Sequence, residues 1–117
     1  MTTIMIEIPI WIRSEQAQSA HWAASMTRHT RQKKAIRTII SPLSISTPCS
    51  INLIRYAPHL MDSHDNLPYA FKWIVDTIAA KLIPGLAPGR ADSSEKLTWR
   101  YNQIKSKEKK IEIVFEF

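Results

Sequence analysis

The chain has 117 residues, of which 44% are apolar and 22% are charged, and this balance predicts one globular domain over residues 1–117. Sixteen Lys and Arg against ten Asp and Glu give a formal net charge of +6, which favours encounter with polyanions such as nucleic acids. The only cysteine, Cys49, excludes an internal disulfide and a cysteine-cluster zinc site, and it fits a reducing cytoplasm.

The first predicted element is a β-strand near the N-terminus. Every second residue across residues 4–10 is isoleucine, which is the period of a strand with one buried face. Pro9 has no backbone N–H to donate, so we expect this strand at a sheet edge or at a bulge. Glu7 and Pro9 interrupt the apolar stretch and no basic leader precedes it, so we expect neither a secretory signal nor a membrane span.

A basic helix is predicted over residues 27–40, after a polar segment that contains His21 and Trp22. Trp22 either stacks on a nucleic-acid base or packs in the core, and we favour the core. The cationic side chains of the helix either contact phosphates or are only solvated, and their spacing does not separate these alternatives. The candidate phosphate-binding residues on this helix are Arg28, Arg31, Lys33, Lys34 and Arg37.

The rest of the chain predicts one more helix and three more strands. A strand over residues 49–56 precedes the clearest helical pattern, over residues 67–82, which ends at a connection containing both glycines. Alternating apolar residues then predict strands over residues 97–101 and 111–117, with a lysine-rich turn at residues 105–109. We therefore predict an α+β fold in the order βαβαββ, with a mixed four-stranded sheet and two helices packed on it.

Asp62 and Asp65 lie just after the second predicted strand and just before the second helix. Two carboxylates in such a turn can hold a hard cation such as Mg²⁺ and leave positions for water and phosphate oxygens, which suits phosphodiester hydrolysis. Asp92, in the loop after that helix, is the third candidate ligand. The alternative is structural, because Asp65 is also well placed as a helix N-cap and Asp62 as a turn residue.

Three segments together resemble a known family. The sequence Asp65-Asn66-Leu67, followed by Ala70-Phe71-Lys72 and Asp76, resembles the motif helix of RusA-like Holliday junction resolvases (crossover junction endodeoxyribonucleases), especially phage and prophage members. The polar loop with His21-Trp22 before the basic helix is similar to that family's corresponding segment. The segment with Asp92, Leu97, Trp99, Arg100, Tyr101 and Gln103 resembles the family's acidic loop and next strand. The resemblance covers nearly the whole chain, in the same order.

The resemblance implies a homodimer that binds branched DNA during recombination and repair. It also implies an endonuclease that hydrolyses DNA with a divalent metal, either Mg²⁺ or Mn²⁺. Acidic residues from the motif turn and the later loop hold this metal. On this sequence those acids are Asp65 and Asp92, with Asp62 as a further candidate. Lys72 joins the basic helix as a candidate DNA contact. Trp73 lies off the main apolar stripe of its helix, which is consistent with a subunit interface or with partial burial.

The chain departs from the family's pattern at three positions. Ser63 stands where the family's turn usually has a carboxylate, Tyr69 where the resolvases tend to have lysine, and Ala91 where the later loop usually has a second Asp. The leading hypothesis is a magnesium-dependent, structure-selective endonuclease. The alternatives are a non-catalytic or regulatory protein that binds DNA junctions, and a protein-interaction module without affinity for nucleic acid.

Overall fold

The computed structural model describes residues 1–12, 22–61, 66–86 and 90–117, and it leaves the side chains of residues 22–26 undescribed. The strands are β1 (Thr3–Ile8), β2 (Cys49–Ala57), β3 (Leu97–Lys105) and β4 (Lys110–Glu116). The helices are α1 (Trp22–Ile40), α2 (Asn66–Ala70) and α3 (Lys72–Leu82), and a 3-10 turn spans Ala91–Ser93. The four strands form one mixed sheet, so the predicted α+β class is confirmed.

The order of strands across the sheet is β1-β4-β2-β3. β2 and β3 are parallel and therefore need a crossover connection, which α2 and α3 provide. The lysine-rich connection from β3 to β4 passes the end of β2, where the Ser106 amide donates to the Ala57 carbonyl at 2.9 Å. β1 pairs with β4 alone among the described strands, so the edge position expected from Pro9 is confirmed.

One face of the sheet carries the core. Along β2, every second residue from Cys49 to Ala57 is buried, and the residues between them are half-buried. The buried face of the sheet packs against the apolar sides of α1 and α3, so that burial of apolar side chains holds the two layers together. The largest fully buried side chains of this core include Ile36, Ile51, Leu53, Phe71, Ile74, Ile78, Ile113 and Phe115.

The second predicted helix is two helices, which corrects the predicted count of helices packed on the sheet. Phe71 separates α2 from α3, and its amide is shared between the carbonyls of Leu67 at 3.3 Å and Pro68 at 3.2 Å. The Ile74 amide in turn donates to the Phe71 carbonyl at 3.0 Å. The two bonds that span three residues, from Phe71 to Pro68 and from Ile74 to Phe71, tighten the backbone at the junction. The side chain of Phe71 stays fully buried, so the break leaves the apolar stripe continuous across both helices.

α3 ends just before the connection that contains both glycines, as predicted. The Ile83 amide donates to the Ala79 carbonyl at 2.8 Å and completes the last turn. Gly85 then adopts a φ of +96°, a conformation that residues with a side chain rarely adopt. No helix in the described part of the chain is both long and apolar enough to cross a membrane.

Candidate functional site

Only one of the three predicted acidic residues falls in a described segment. Asp62 and Asp65 belong to residues 62–65, which lie outside the described residues. Asp92 lies in the 3-10 turn, and its backbone carbonyl accepts a hydrogen bond from the Trp99 indole Nε1 at 2.8 Å. The Asp92 carboxylate atom Oδ1 is buried and accepts no hydrogen bond from the described residues. A buried carboxylate oxygen without a donor has a high affinity for a cation or a hydrogen-bond donor.

A second carboxylate, Asp76 on α3, lies close to Asp92. Burial raises the pKa of Asp76, and the negative charge of Asp92 raises it further, whereas Lys72 and Lys33 act in the opposite direction. Two like charges in a partly desolvated place favour protonation of one of them or the presence of a cation. Asp76 was not among the predicted site residues. The available signal was its position in the family-like helix, four residues after Lys72.

Asp76 and Asp92 line a cleft of about 310 Å³ between α1, α3 and the 3-10 turn. One part of its wall is cationic and one part is apolar. The lining residues are Lys33, Arg37, Trp73, Asp76, Thr77, Ala79, Ala80, Leu86, Ala91 and Asp92. The cleft therefore combines two carboxylates, two cations and an apolar wall in a space of small-molecule size.

Three of the six predicted DNA-binding cations surround this cleft. Lys33 and Arg37 line it directly, and the Lys72 charge acts on Asp76. The Lys33 and Lys72 ammonium groups lie 5.0 and 5.7 Å from the centroid of the Trp73 ring. Cation–π attraction at such distances helps to hold both groups at the rim of the cleft.

The other three predicted cations of α1 do not line the cleft. The buried stripe of α1 runs through His29, Gln32, Ile36 and Ile40, which is the spacing of one helix face. Arg31 and Lys34 lie outside this stripe and are exposed, and Arg28 is half-buried. The predicted cationic residues of α1 therefore form two groups. Lys33 and Arg37 line the cleft beside the carboxylates, and Arg28, Arg31 and Lys34 do not line it.

Trp73 is half-buried, in line with one of the two alternatives predicted for it. Its ring stacks on that of His29, with the centroids 4.2 Å apart and the planes at 29°. The stack joins α1 to α3 beside the cleft. The other candidate aromatic, Trp22, begins α1, and its side chain lies outside the described residues, as does all of His21.

Three alternate residues of β3 connect the parts of this site. Trp99 holds the backbone of Asp92, as described above. Tyr101 packs near Phe71, with ring centroids 6.1 Å apart, and its pKa is raised by burial and then by the charges of Asp92 and Asp76. Gln103 binds Met61 twice, because its Oε1 accepts from the Met61 amide at 3.0 Å and its Nε2 donates to the Met61 carbonyl at 2.6 Å.

The double bond to Met61 matters because Met61 immediately precedes residues 62–65, where Asp62 and Asp65 lie. Asn66, which follows them, begins α2. Residues at every second position of a strand point to the same face, with about 6.6 Å between successive side chains. The start of the acidic turn is therefore held on the same row of β3 side chains as Trp99, which binds the backbone carbonyl of Asp92.

Arg55 is the buried cation of β2, with 6% of its surface exposed. Its Nε donates to the Ile12 carbonyl at 2.8 Å, and its Nη1 donates to the His59 carbonyl at 2.7 Å. Burial lowers the pKa of this guanidinium. Arg55 therefore ties the chain after β1 to the chain after β2, close in sequence to the acidic turn. The alternating pattern of β2 places Arg55 on the same face as Cys49 and Ile51, but it does not indicate which groups Arg55 binds.

The described positions that depart from the family's pattern have distinct environments. Ala91 is only 5% exposed, so it packs in the core beside Asp92, whereas Tyr69 is 48% exposed on α2. Cys49 is buried and unpaired, as expected for strand packing. Within the described segments, no group of three or more His, Cys, Asp or Glu side chains gathers as a metal cluster would. The acids that these segments bring together are Asp76 and Asp92.

The lysine-rich connection lies on another part of the molecule. Lys110 forms ion pairs with Glu7 and, at 3.2 Å, with Glu108, and these partners raise its pKa. The ammonium group of Lys109 lies 4.1 Å from the centroid of the Trp11 ring. These two lysines thus already have partners within the chain. Comparison with known proteins adds no assignment to this geometry, because no family model and no curated protein matches the chain.

Proposed function

We propose that this protein is a magnesium-dependent, structure-selective endodeoxyribonuclease that cuts branched DNA, as the resemblance to RusA-like resolvases implies. The observation that carries the proposal is the pairing of Asp92 with Asp76 in a cleft bordered by Lys33, Arg37 and Lys72. Carboxylates next to cations are what a site needs in order to hold a divalent metal and a phosphodiester together. A homodimer, a cytoplasmic location and a role in recombination or repair belong to the same proposal.

The residues present fit a divalent cation. Asp92 Oδ1 is buried without a donor from the described residues, and the Asp76 pKa is raised partly by the neighbouring Asp92 charge. A cation shared by both carboxylates would remove this repulsion and satisfy the buried oxygen. Asp65 is proposed as a further ligand, and Asp62 as an additional one, because Gln103 holds the start of their segment on the same strand.

Magnesium, when bound, supplies neutralisation of the phosphate charge and activation of water. The protein's own residues orient the substrate around it. Lys33 and Arg37, which line the cleft, and Lys72, whose charge acts on Asp76, would bind phosphate oxygens near the carboxylates. Trp99 keeps Asp92 in place through the indole hydrogen bond to its backbone carbonyl. Such prior positioning lowers the barrier, since the reacting groups need little further ordering.

The test is cleavage of a synthetic four-way junction in the presence of Mg²⁺ or Mn²⁺. We expect the wild-type protein to cut, and Asp92→Asn, Asp76→Asn and Asp65→Asn to lose most of the activity. Glu95→Gln is the matched control, because Glu95 is an exposed acid three residues after Asp92 and does not line the cleft. A wild-type protein that leaves the junction intact with both metals would refute the enzymatic proposal.

The second candidate function is non-catalytic binding of DNA junctions. It is favoured by Ala91, because alanine supplies no metal ligand at the position where the family's later loop usually has a second Asp. This candidate predicts DNA binding that weakens steeply with salt and no metal-dependent cutting. A gel-shift series over increasing salt distinguishes it from a protein-interaction module, for which no DNA complex forms even at low salt.

A further inference from the structure

We infer that the cleft between α1 and α3 binds one unpaired nucleotide of the branched DNA. This inference rests on the proposed function for the identity of the ligand as DNA, and it adds the part of the DNA that the cleft receives. The cleft lies beside the proposed cutting site rather than on a separate surface, since Asp76 and Asp92 are among its lining residues. A nucleotide held there belongs to the strand that is cut or to its immediate neighbour.

The size of the cleft selects a single nucleotide. Its volume of about 310 Å³ is at the lower end of the range of about 300–1,000 Å³ typical of small-molecule sites. A double helix is too wide to enter such a space, because its major groove alone is about 12 Å wide. An unstacked base with its sugar and phosphate is flat at one end and charged at the other. The cleft has walls of both kinds.

The apolar wall suits the base. Ala79 and Ala80 contribute small side chains from α3, and Leu86 contributes a large one from the segment after it. Leu86 is 50% exposed although it is one of the larger apolar residues of the chain. A flat base placed against this wall would cover the apolar surface of Ala80 and Leu86 that otherwise faces water. The indole of Trp73 extends this wall toward the α1 side of the cleft.

The cationic wall suits the phosphate. Lys33 and Arg37 are four residues apart on α1, so they lie on one side of the helix, and both line the cleft. The Lys33 ammonium group is held 5.0 Å from the Trp73 ring centroid, which reduces its freedom before any ligand binds. Two cations beside an apolar wall give the cleft the polarity of a nucleotide, with the phosphate on α1 and the base on α3.

Selectivity for branched DNA follows from this arrangement. Removing a base from a stacked, paired duplex costs free energy, and the cost is smallest for a base that is already unpaired. A cleft that accepts one extruded nucleotide therefore favours the centre of a junction, where the strand exchange weakens stacking and pairing, over a continuous duplex. The same nucleotide would bring its phosphate toward the Asp76–Asp92 pair.

The test is fluorescence and affinity measurement with the metal chelated, so that cutting plays no part. The probes are a four-way junction carrying 2-aminopurine opposite thymine at the crossover, and a continuous duplex carrying the same pair at its centre. Ala80→Phe fills the cleft from an exposed helix position, so the fold is expected to tolerate it. Thr38→Phe is the matched control, because Thr38 is an exposed helix residue of α1 that does not line the cleft.

We expect wild-type protein and Thr38→Phe to change the 2-aminopurine signal of the junction but not that of the duplex. Ala80→Phe is expected to abolish the change and to weaken junction binding by about 5- to 150-fold, the range that one base contributes. Wild-type binding without a signal change, or equal signals for Ala80→Phe and wild type, would overturn the inference. If the wild-type protein binds in this way but does not cut when metal is added, only the nuclease proposal is refuted. If the wild-type protein cuts but Ala80→Phe binds the junction as tightly as wild type, only the inference about the cleft is refuted.

Discussion

Replacement of Gln103 by methionine tests whether β3 holds the start of the acidic turn. The wild-type amide forms two hydrogen bonds with the backbone of Met61, at 3.0 and 2.6 Å. Methionine has nearly the same length and volume, so packing is largely kept while both bonds are lost. The variant isolates the polar contribution of one side chain to the position of residues 62–65.

The expected magnitude follows from these two bonds. A hydrogen bond within a protein contributes about 0.5–1.5 kcal/mol net, so we expect Gln103→Met to lower the free energy of unfolding by about 1–3 kcal/mol. Met61 and Gln103 are both half-buried, and water can partly replace the lost partners, which favours the lower half of that range. The effect on cutting is expected to be larger, up to about 100-fold, because small displacements of catalytic groups are costly.

Urea unfolding followed by tryptophan fluorescence measures the first effect, and junction cleavage measures the second. Asn102→Leu is the matched control on the same strand, because Asn102 forms one exposed side-chain bond, to Asn52 at 2.6 Å. That variant should change stability by less than about 0.5 kcal/mol and leave cutting unchanged. A Gln103→Met protein with the wild-type unfolding midpoint and the wild-type cutting rate would refute the reasoning.

The remaining predictions concern charge. Because the pKa of Asp76 is raised in the folded protein, ionisation of Asp76 destabilises the fold. The free energy of unfolding is therefore highest below the ordinary Asp pKa, and it falls as the pH rises through the raised pKa. Asp76→Asn should therefore be more resistant to urea than wild type at neutral pH without metal, and this advantage should vanish below about pH 3.9. An equal advantage at both pH values would contradict the raised pKa of Asp76. Arg37→Ala should weaken junction binding and reduce the slope of log affinity against log salt by about one, whereas Arg31→Ala, an exposed cation away from the cleft, should reduce it less. Arg55→Met should lower the unfolding midpoint, because the carbonyls of Ile12 and His59 lose their donor; an unchanged midpoint would show that these bonds add no net stability.

Short-range patterns in the sequence were sufficient for the elements themselves. Alternating isoleucines predict β1, and Pro9 predicts a sheet edge or a bulge, because both effects act within a few residues of the chain. The same holds for the end of α3, where Gly85 adopts the conformation that other residues avoid. Asp92 was chosen from sequence as a candidate metal ligand, and that role stays a prediction. The break at Phe71 was not, because the apolar stripe runs through it at unbroken helical spacing.

Contacts between distant parts of the chain were decided only by the tertiary structure. β4 lies between β1 and β2, and no local pattern carries that order. Gln103 and Met61 are 42 residues apart, and Arg55 is 43 residues from Ile12. Asp76 meets Asp92 because α3 and the 3-10 turn pack on the same face of the sheet. Sequence periodicity shows which face of an element is buried, but which faces meet depends on how several elements share one core.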